Sequence, residues 1–411
     1  MTAPAPLLEA NPAAVERDIL AAYESVSSFD ADGTGAEADA PHEEFAALRR
    51  LGGVHRSTLQ QVLTGANGPG GTSISTWHVV SFAAAERVLR DESTFSSSAY
   101  DDSMGRVIGR SFLQMDHQEH RTWRSILHSG FNQQAVLARR DRVRSAVVSR
   151  LGSLAGRGGG DLVRDVAFPV ALTTIAELVG FPPGTRIGTL YAWAVGLLDD
   201  ADGKIGTSVR ECLETPSAWA PDSLVGLLLR SGNPAVGAGP DLLPAVRLLL
   251  STGTEPPFRS LATLMYAVLT DREVLRLLRE DDSSAPGVVQ ECWRWECPLT
   301  WVLRRCTAET EISGQPVGRG ELVCVNLASA NRDETRWSRP ARFDAGRELP
   351  GLAMGTGPHT CLGRHLAMVE SRELLAELLA TESTWPPGYT VNTDGVAGRG
   401  FRSPRRLRIR F

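Results

Sequence analysis

Apolar residues recur at spacings of three and four along AVLARRDRVRSAVVSRLGSLA (135–155) and FPVALTTIAELVG (168–180), which predicts two amphipathic helices. The second meets its stop signal at Gly180 and Pro182-Pro183. Helical patterns also cover SFAAAERVLRDESTF (81–95), a short stretch from Glu43 to Leu51, and VVQECWRWE (288–296), which Pro298 closes. A long helix is expected from near Asp241 to Asp271, through LLPAVRLLLSTGTEPPFRSLATLMYAVLTD. Alternation replaces this period in TAETEISGQPVGRGELVCVNLAS (307–329), where Gly and Pro punctuate the run as they do in hairpins. Two short strands are expected at Thr58–Leu63 and Thr76–Val80, around the turn-rich GANGPGGTS, and a last one in FRSPRRLRIRF. A coil from Asn331 leads into a helix beginning near Cys361. The fold class is therefore mainly α with a small β region. Residues 1–40, rich in Ala, Asp and Gly, are expected to be loosely ordered, and 41–411 to form a single domain.

The chain has 411 residues, 42% of them hydrophobic and 22% charged, enough to bury a large core. A net charge of -5 argues against a general nucleic-acid binder. Lys204 is the single lysine, which excludes lysine-dependent phosphate loops and Schiff-base chemistry elsewhere. Six cysteines without a CxxC spacing are too sparse for a disulfide scaffold. The N-terminus carries Glu9, Glu16, Arg17 and Asp18 and no long apolar run, so neither a signal peptide nor a membrane anchor is expected. The expectation is a cytoplasmic, soluble protein.

The most informative stretch is Met354-Gly-Thr-Gly-Pro-His-Thr-Cys-Leu-Gly-Arg-His-Leu-Ala367. Gly355, Gly357 and Gly363 flank Cys361 at the mouth of a helix, where exposed amides and the helix dipole favour a thiolate. Glycine permits positive-φ turns and close approach of backbone to a flat ligand. A lone cysteine is more often a small buried hydrophobe. A zinc site from His359, Cys361 and His365 has an unusual spacing, and no βαβ strand precedes the glycines to make them a dinucleotide loop.

This Gly-x-Gly-x-His-x-Cys-x-Gly run resembles the haem-ligand loop of the cytochrome P-450 superfamily, the haem-thiolate monooxygenases, with Met354 where the family usually has Phe. Other landmarks follow in the family's order. Glu291-Cys-Trp-Arg294 is similar to its helical E-x-x-R, and Pro340-Ala-Arg342-Phe343 to the segment whose arginine completes a buried Glu–Arg–Arg cluster. The resemblance assigns that role to Glu291, Arg294 and Arg342. Asp116-His-Gln-Glu-His120-Arg-Thr-Trp-Arg124 resembles the helix whose His and Arg bind a haem propionate; four apart, His120 and Arg124 share a face. Arg304 and His359 are the remaining propionate partners by the same matching, with Cys361 as the metal ligand. The likeness, strongest to soluble bacterial members, runs from about residue 40 to the end. It implies the cytochrome P-450 fold, with haem b (iron protoporphyrin IX) between the long central helix and the cysteine-loop helix.

One motif departs from the family. Thr252-Gly253-Thr254-Glu255-Pro256-Pro257 stands where an Ala-Gly-x-(Asp/Glu)-Thr pattern is usual, whose acid and alcohol manage proton delivery during dioxygen activation. Gly253 and Glu255 match; the alcohol is replaced by Pro256. Two prolines inside a helix would cost roughly 3 kcal/mol each, so a kink is expected. Either the helix opens, with water, substrate or Thr254 in place of the alcohol, or it restarts at Pro256 in a first turn. The catalytic set is thus Gly253, Thr254, Glu255 and Pro256.

The resemblance implies an oxidoreductase that hydroxylates or otherwise oxidises a small-molecule or carrier-bound intermediate of bacterial secondary metabolism. Ferredoxin and a ferredoxin reductase are the implied partners, without nucleic acid or membrane. Pro256 keeps open aryl or phenol coupling and desaturation, and a haem protein that binds without turnover.

Overall fold

The computed structural model describes residues 11–33, 41–64, 74–181, 184–196, 204–215, 219–236, 242–348 and 350–411. The turn-rich 65–73 and the prolines at 182–183 lie outside these residues, as do 1–10, 34–40 and 197–203. Helices dominate, and the strands gather in small sheets, as the periodicity predicts. The helix Phe168–Val179 ends at Gly180, whose φ of 114° places it in the left-handed region that a helix stop requires. It carries ten buried residues and packs against Glu255–Thr270, which in turn meets Arg364–Glu382. Phe168, Leu172, Phe258, Leu261, Leu374 and Leu378 form the centre of that core.

The largest sheet runs, in spatial order, Val54–Thr58, Ser75–Val79, Leu322–Asn326, Trp301–Cys306 and Phe95–Ser96. Ser75–Val79 and Leu322–Asn326 are parallel, and the other neighbours are antiparallel. Arg304 pairs with Val323 in this ladder, which sets the arginine at a buried position beside the short Phe95–Ser96 strand.

Three expectations differ from the structure, and the central helix shows the break that its prolines predict. The segment expected to be loose contains the helix Pro12–Gly33, whose Ile19, Ala22, Tyr23 and Val26 are buried at helical spacing. It docks on Ile187–Ala194, where the Asp18 carboxylate accepts from the Thr189 amide at 3.1 Å. The strand expected at Thr58–Leu63 ends at Thr58, because the Thr58 hydroxyl accepts from the Gln61 amide (3.1 Å) and starts the helix Leu59–Thr64. The long helix is two helices, Leu243–Thr252 and Glu255–Thr270. The cysteine-loop helix begins at Arg364, three residues after the cysteine.

Candidate haem-thiolate site

The cysteine loop is a series of turns closed by backbone bonds. The Cys361 amide donates to the Met354 carbonyl at 2.8 Å, and the Gly355 amide to the Leu352 carbonyl at 2.8 Å. Gly355 and Gly357 have φ of 66° and 76°, the left-handed region that suits glycine. At Gly357 a Cβ would also sit 2.5 Å from the Leu89 carbonyl oxygen, so this glycine lets the loop lie against the end of the Phe82–Arg90 helix. A Cβ at Gly363 would lie 3.9 Å from Cys361 Sγ, an ordinary contact. Helix-end amides are not the dominant influence on the thiol. Burial pushes its pKa up, and the Gly363 amide, Arg124 and Arg364 only partly oppose that. Protein alone favours the neutral thiol here, and a coordinated cation would take the proton's place.

Beside the loop lies a corner rich in donors. The helix His117–Phe131 presents His120 and Arg124, and Arg124 Nη2 donates to the Thr360 carbonyl at 2.6 Å. His120 stacks on His359 with ring centroids 3.9 Å apart and 23° between planes. His359 lies 3.1 Å from the Ser97 hydroxyl and 3.6 Å from Asp116. Burial works against the Asp116 carboxylate, yet His359, the Ser96 hydroxyl and the Ser97 amide hold its pKa down to about 2. Burial, helped by His359 and Arg124, lowers His120 to about 4.

Two features ask for an anion. His120 is 1% exposed, and neither ring nitrogen has a hydrogen-bond partner among the described residues. Arg304 is 5% exposed and donates to its neighbour Leu303's carbonyl, with no carboxylate in ion-pair range among the described residues. Buried donors and a buried cation left this way are costly unless paired. His120, Arg124, Arg304 and His359 are thus gathered from three chain regions beside the cysteine loop. The zinc reading is not supported: among the described residues, the group with metal-compatible spacing is Glu92, His120 and His359, without Cys361 or His365.

Behind the loop, Glu291 and Arg294 pair through two bonds of 2.6 and 2.7 Å, each 2% exposed by side chain. The third member is Arg347 and not Arg342. Arg347 Nε donates to Glu291 at 3.2 Å, whereas the Arg342 side chain is 59% exposed and 3.9 Å from Glu273. The Pro-Ala-Arg-Phe segment contributes its backbone: the Pro340 and Arg342 carbonyls accept from Arg294, and the Asp344 amide donates to Glu291. Arg294 also holds the Asn331 carbonyl, and Asn331 Oδ1 accepts from the Leu352 amide at the start of the cysteine loop. The spacing Glu291–Arg347 carries no periodic signal, so only the fold could reveal it.

At the helix break the prolines sit in a first turn, where a missing amide costs little. Since Pro256 and Pro257 have no N–H, the Thr252 and Gly253 carbonyls have no i+4 donor. Thr254 does not offer its alcohol: it is fully buried and its hydroxyl donates to the Leu250 carbonyl at 2.7 Å. Gly253 is required by packing, as a Cβ there would lie 2.4 Å from Ile175 Cγ1. Glu255 is held by Arg259, through Nε at 2.9 Å and Nη2 at 2.5 Å, and by the Tyr191 hydroxyl at 2.6 Å. Neither Tyr191 nor Arg259 was visible as a partner in the sequence pattern, although Arg259 has the i, i+4 spacing. Tyr191→Phe removes a hydrogen bond to a charged group and is expected to cost about 1.5–3 kcal/mol in urea unfolding.

The family model described as Cytochrome P450 matches residues 285–383, which include the Glu291–Arg294 pair and the cysteine loop. Erythromycin C-12 hydroxylase from Saccharopolyspora erythraea is 30% identical over 333 residues, covering 74% of this chain and 81% of the relative. Cytochrome P450 107B1 of the same organism is 32% identical over 284 residues, covering 66% and 70% respectively. Among solved structures, Cytochrome P450 CYP109Q5 from Chondromyces apiculatus superposes with a TM-score of 0.78 at 26% identity, covering 90% of this chain and 95% of that one. Among the described residues, no helix is long and apolar enough to cross a membrane. With the cysteine-loop segment and the helix bundle agreeing with these matches, the chain belongs to the cytochrome P450 family and is a haem-dependent oxidoreductase of the monooxygenase type.

Proposed function

We propose that Cys361 would ligate a haem b through its thiolate, and that His120, Arg124, Arg304 and His359 would hold its propionates. The observation that carries this reading is a buried His120 ring without a hydrogen-bond partner, and a buried Arg304 without a carboxylate partner, among the described residues beside the Cys361 loop. When bound, a thiolate-ligated haem supplies the electron push that favours O–O cleavage. This chain's residues then do four things. The Arg124–Thr360 bond fixes the loop against the donor helix. The Glu291–Arg294–Arg347 cluster braces the loop from behind. The donor corner would neutralise the cofactor's carboxylates, and the break between Thr252 and Glu255 would supply the residues that the family resemblance assigns to oxygen activation. The helix Pro12–Gly33 and residues 41–411 act as a single catalytic unit.

The substrate is a small molecule or carrier-bound intermediate of bacterial secondary metabolism; the 12-hydroxylation of erythromycin named for one relative supports the class. Hydroxylation is the leading reaction. Electrons would come from a ferredoxin and its reductase in the cytoplasm, and Arg364, exposed at the start of the cysteine-loop helix, suits an acidic donor.

A second reading has a specific observation behind it. Glu255 is occupied by Arg259 and Tyr191, the Thr252 and Thr254 hydroxyl protons are given to the Leu248 and Leu250 carbonyls, and Pro256 has no hydroxyl, so no alcohol proton at the helix break is free for a reacting oxygen. Coupling or desaturation, in which the substrate supplies its own protons, fits that arrangement. Pro256→Thr tests it: peroxide release per electron pair is expected to fall several-fold. Unchanged peroxide and unchanged product would show that the proline only starts a helix. For the cofactor, haem stoichiometry and the carbon monoxide difference spectrum of the reduced protein decide; a purified chain without haem would overturn the proposal.

A further inference from the structure

Glu92 lies just beyond the Phe82–Arg90 helix, against the first turn of His117–Phe131. His117, His120 and Arg121 share a face there, being three and four apart. Glu92 Oε1 accepts from Arg121 Nη1 at 3.1 Å and has His117 Nδ1 at 3.5 Å. Its other oxygen, Oε2, is buried and has no hydrogen-bond partner among the described residues. Both ring nitrogens of His120 are in the same condition, and the ligand-capable atoms of Glu92, His120 and His359 all lie within 4.8 Å of one another. Three such groups resemble a divalent cation site. The surroundings oppose one, since Arg121 already binds Glu92, Arg124 acts on His120, and Arg304 acts on His359.

We propose that Glu92 is a positioning residue for His120, its Oε2 accepting from one ring nitrogen so that the other is aimed at a haem carboxylate. This rests on the reading of His120 as a haem anchor. The partner ring shows the same construction: His359 is held from behind by Asp116 and the Ser97 hydroxyl. The hydrogen bond made by one imidazole nitrogen sets the role of the other. Burial alone disfavours the charged ring, and a carboxylate on each side would offset that; both His120 nitrogens then donate, and the ring cannot turn without losing a bond at each end. Arg121 and His117 anchor Glu92 from the solvent side, leaving Oε2 directed inward.

The test uses the holoenzyme and measures haem transfer to excess apomyoglobin, together with the propionate-bending bands in the haem resonance Raman spectrum. Glu92→Ala is expected to speed haem transfer about tenfold, as loss of a bond to a charged group would, and to shift the propionate bands in the same direction as His120→Ala. Glu92→Gln, which keeps an acceptor oxygen, should fall between Glu92→Ala and the parent. Arg121→Gln loosens the solvent-side anchor but keeps Glu92 Oε2, and should move both readouts in the same direction by clearly less than Glu92→Ala. If His120→Ala changes both and Glu92→Ala neither, Glu92 has no such role. An Arg121→Gln effect equal to that of Glu92→Ala would overturn it too, by reducing Glu92 to a surface pair. Should His120→Ala itself change nothing, the haem-anchor reading fails first and this inference with it.

Discussion

Cys361→Ala is expected to abolish monooxygenase turnover and the red-shifted carbon monoxide band of thiolate ligation, while leaving the fold intact. The side chain is small, and its backbone bond to Met354 does not involve the sulfur. Gly363 makes only an ordinary contact with it. Because burial holds the free thiol neutral, the protein does not depend on a buried negative charge at this point, and its removal creates no uncompensated ion. Unfolding in urea should therefore change by no more than about 1 kcal/mol, the scale of deleting a small buried group. Retained turnover, or an unchanged carbon monoxide spectrum, would refute ligation by Cys361.

The second large effect concerns stability. Glu291→Ala leaves Arg294 and Arg347 facing each other in a buried site, with the Asp344 amide also unpartnered. Breaking a buried pair in this way costs about 3–5 kcal/mol, a large share of the ordinary 5–15 kcal/mol of a domain. The loss should appear as a lowered urea midpoint and as weak haem retention, because the same cluster reaches the cysteine loop through Asn331 and Leu352. Arg347→Ala should destabilise in the same direction. Arg342→Ala should cost less than about 1 kcal/mol, as exposed ion pairs do. A large effect at Arg342 with none at Arg347 would contradict the geometry.

The motif similarity placed an arginine near Glu291 but chose the wrong one. Pro340–Phe343 does lie at the cluster, through carbonyls that carry no side-chain signature, while the guanidinium arrives four residues after Phe343. The helix break shows the opposite case. Proline chemistry alone required an interruption near Pro256, and the structure supplies one between Thr252 and Glu255. What could not be read was the destination of each side chain. Thr254 turns to its own helix, Gly253 presses on Ile175, and Glu255 reaches a tyrosine 64 residues away in sequence.

By itself the sequence determined the helical class, the hairpin region, the cysteine at its helix mouth and the interruption of the central helix. Each rests on local rules: hydrophobic period, turn chemistry, and the missing N–H of proline. Tertiary structure alone decided the docking of Pro12–Gly33, the choice of Arg347, the burial of His120 without a hydrogen-bond partner and of Arg304 without a carboxylate among the described residues, and the net rise in the Cys361 pKa. Those properties depend on desolvation and on partners far apart in the chain, which no short stretch of residues encodes.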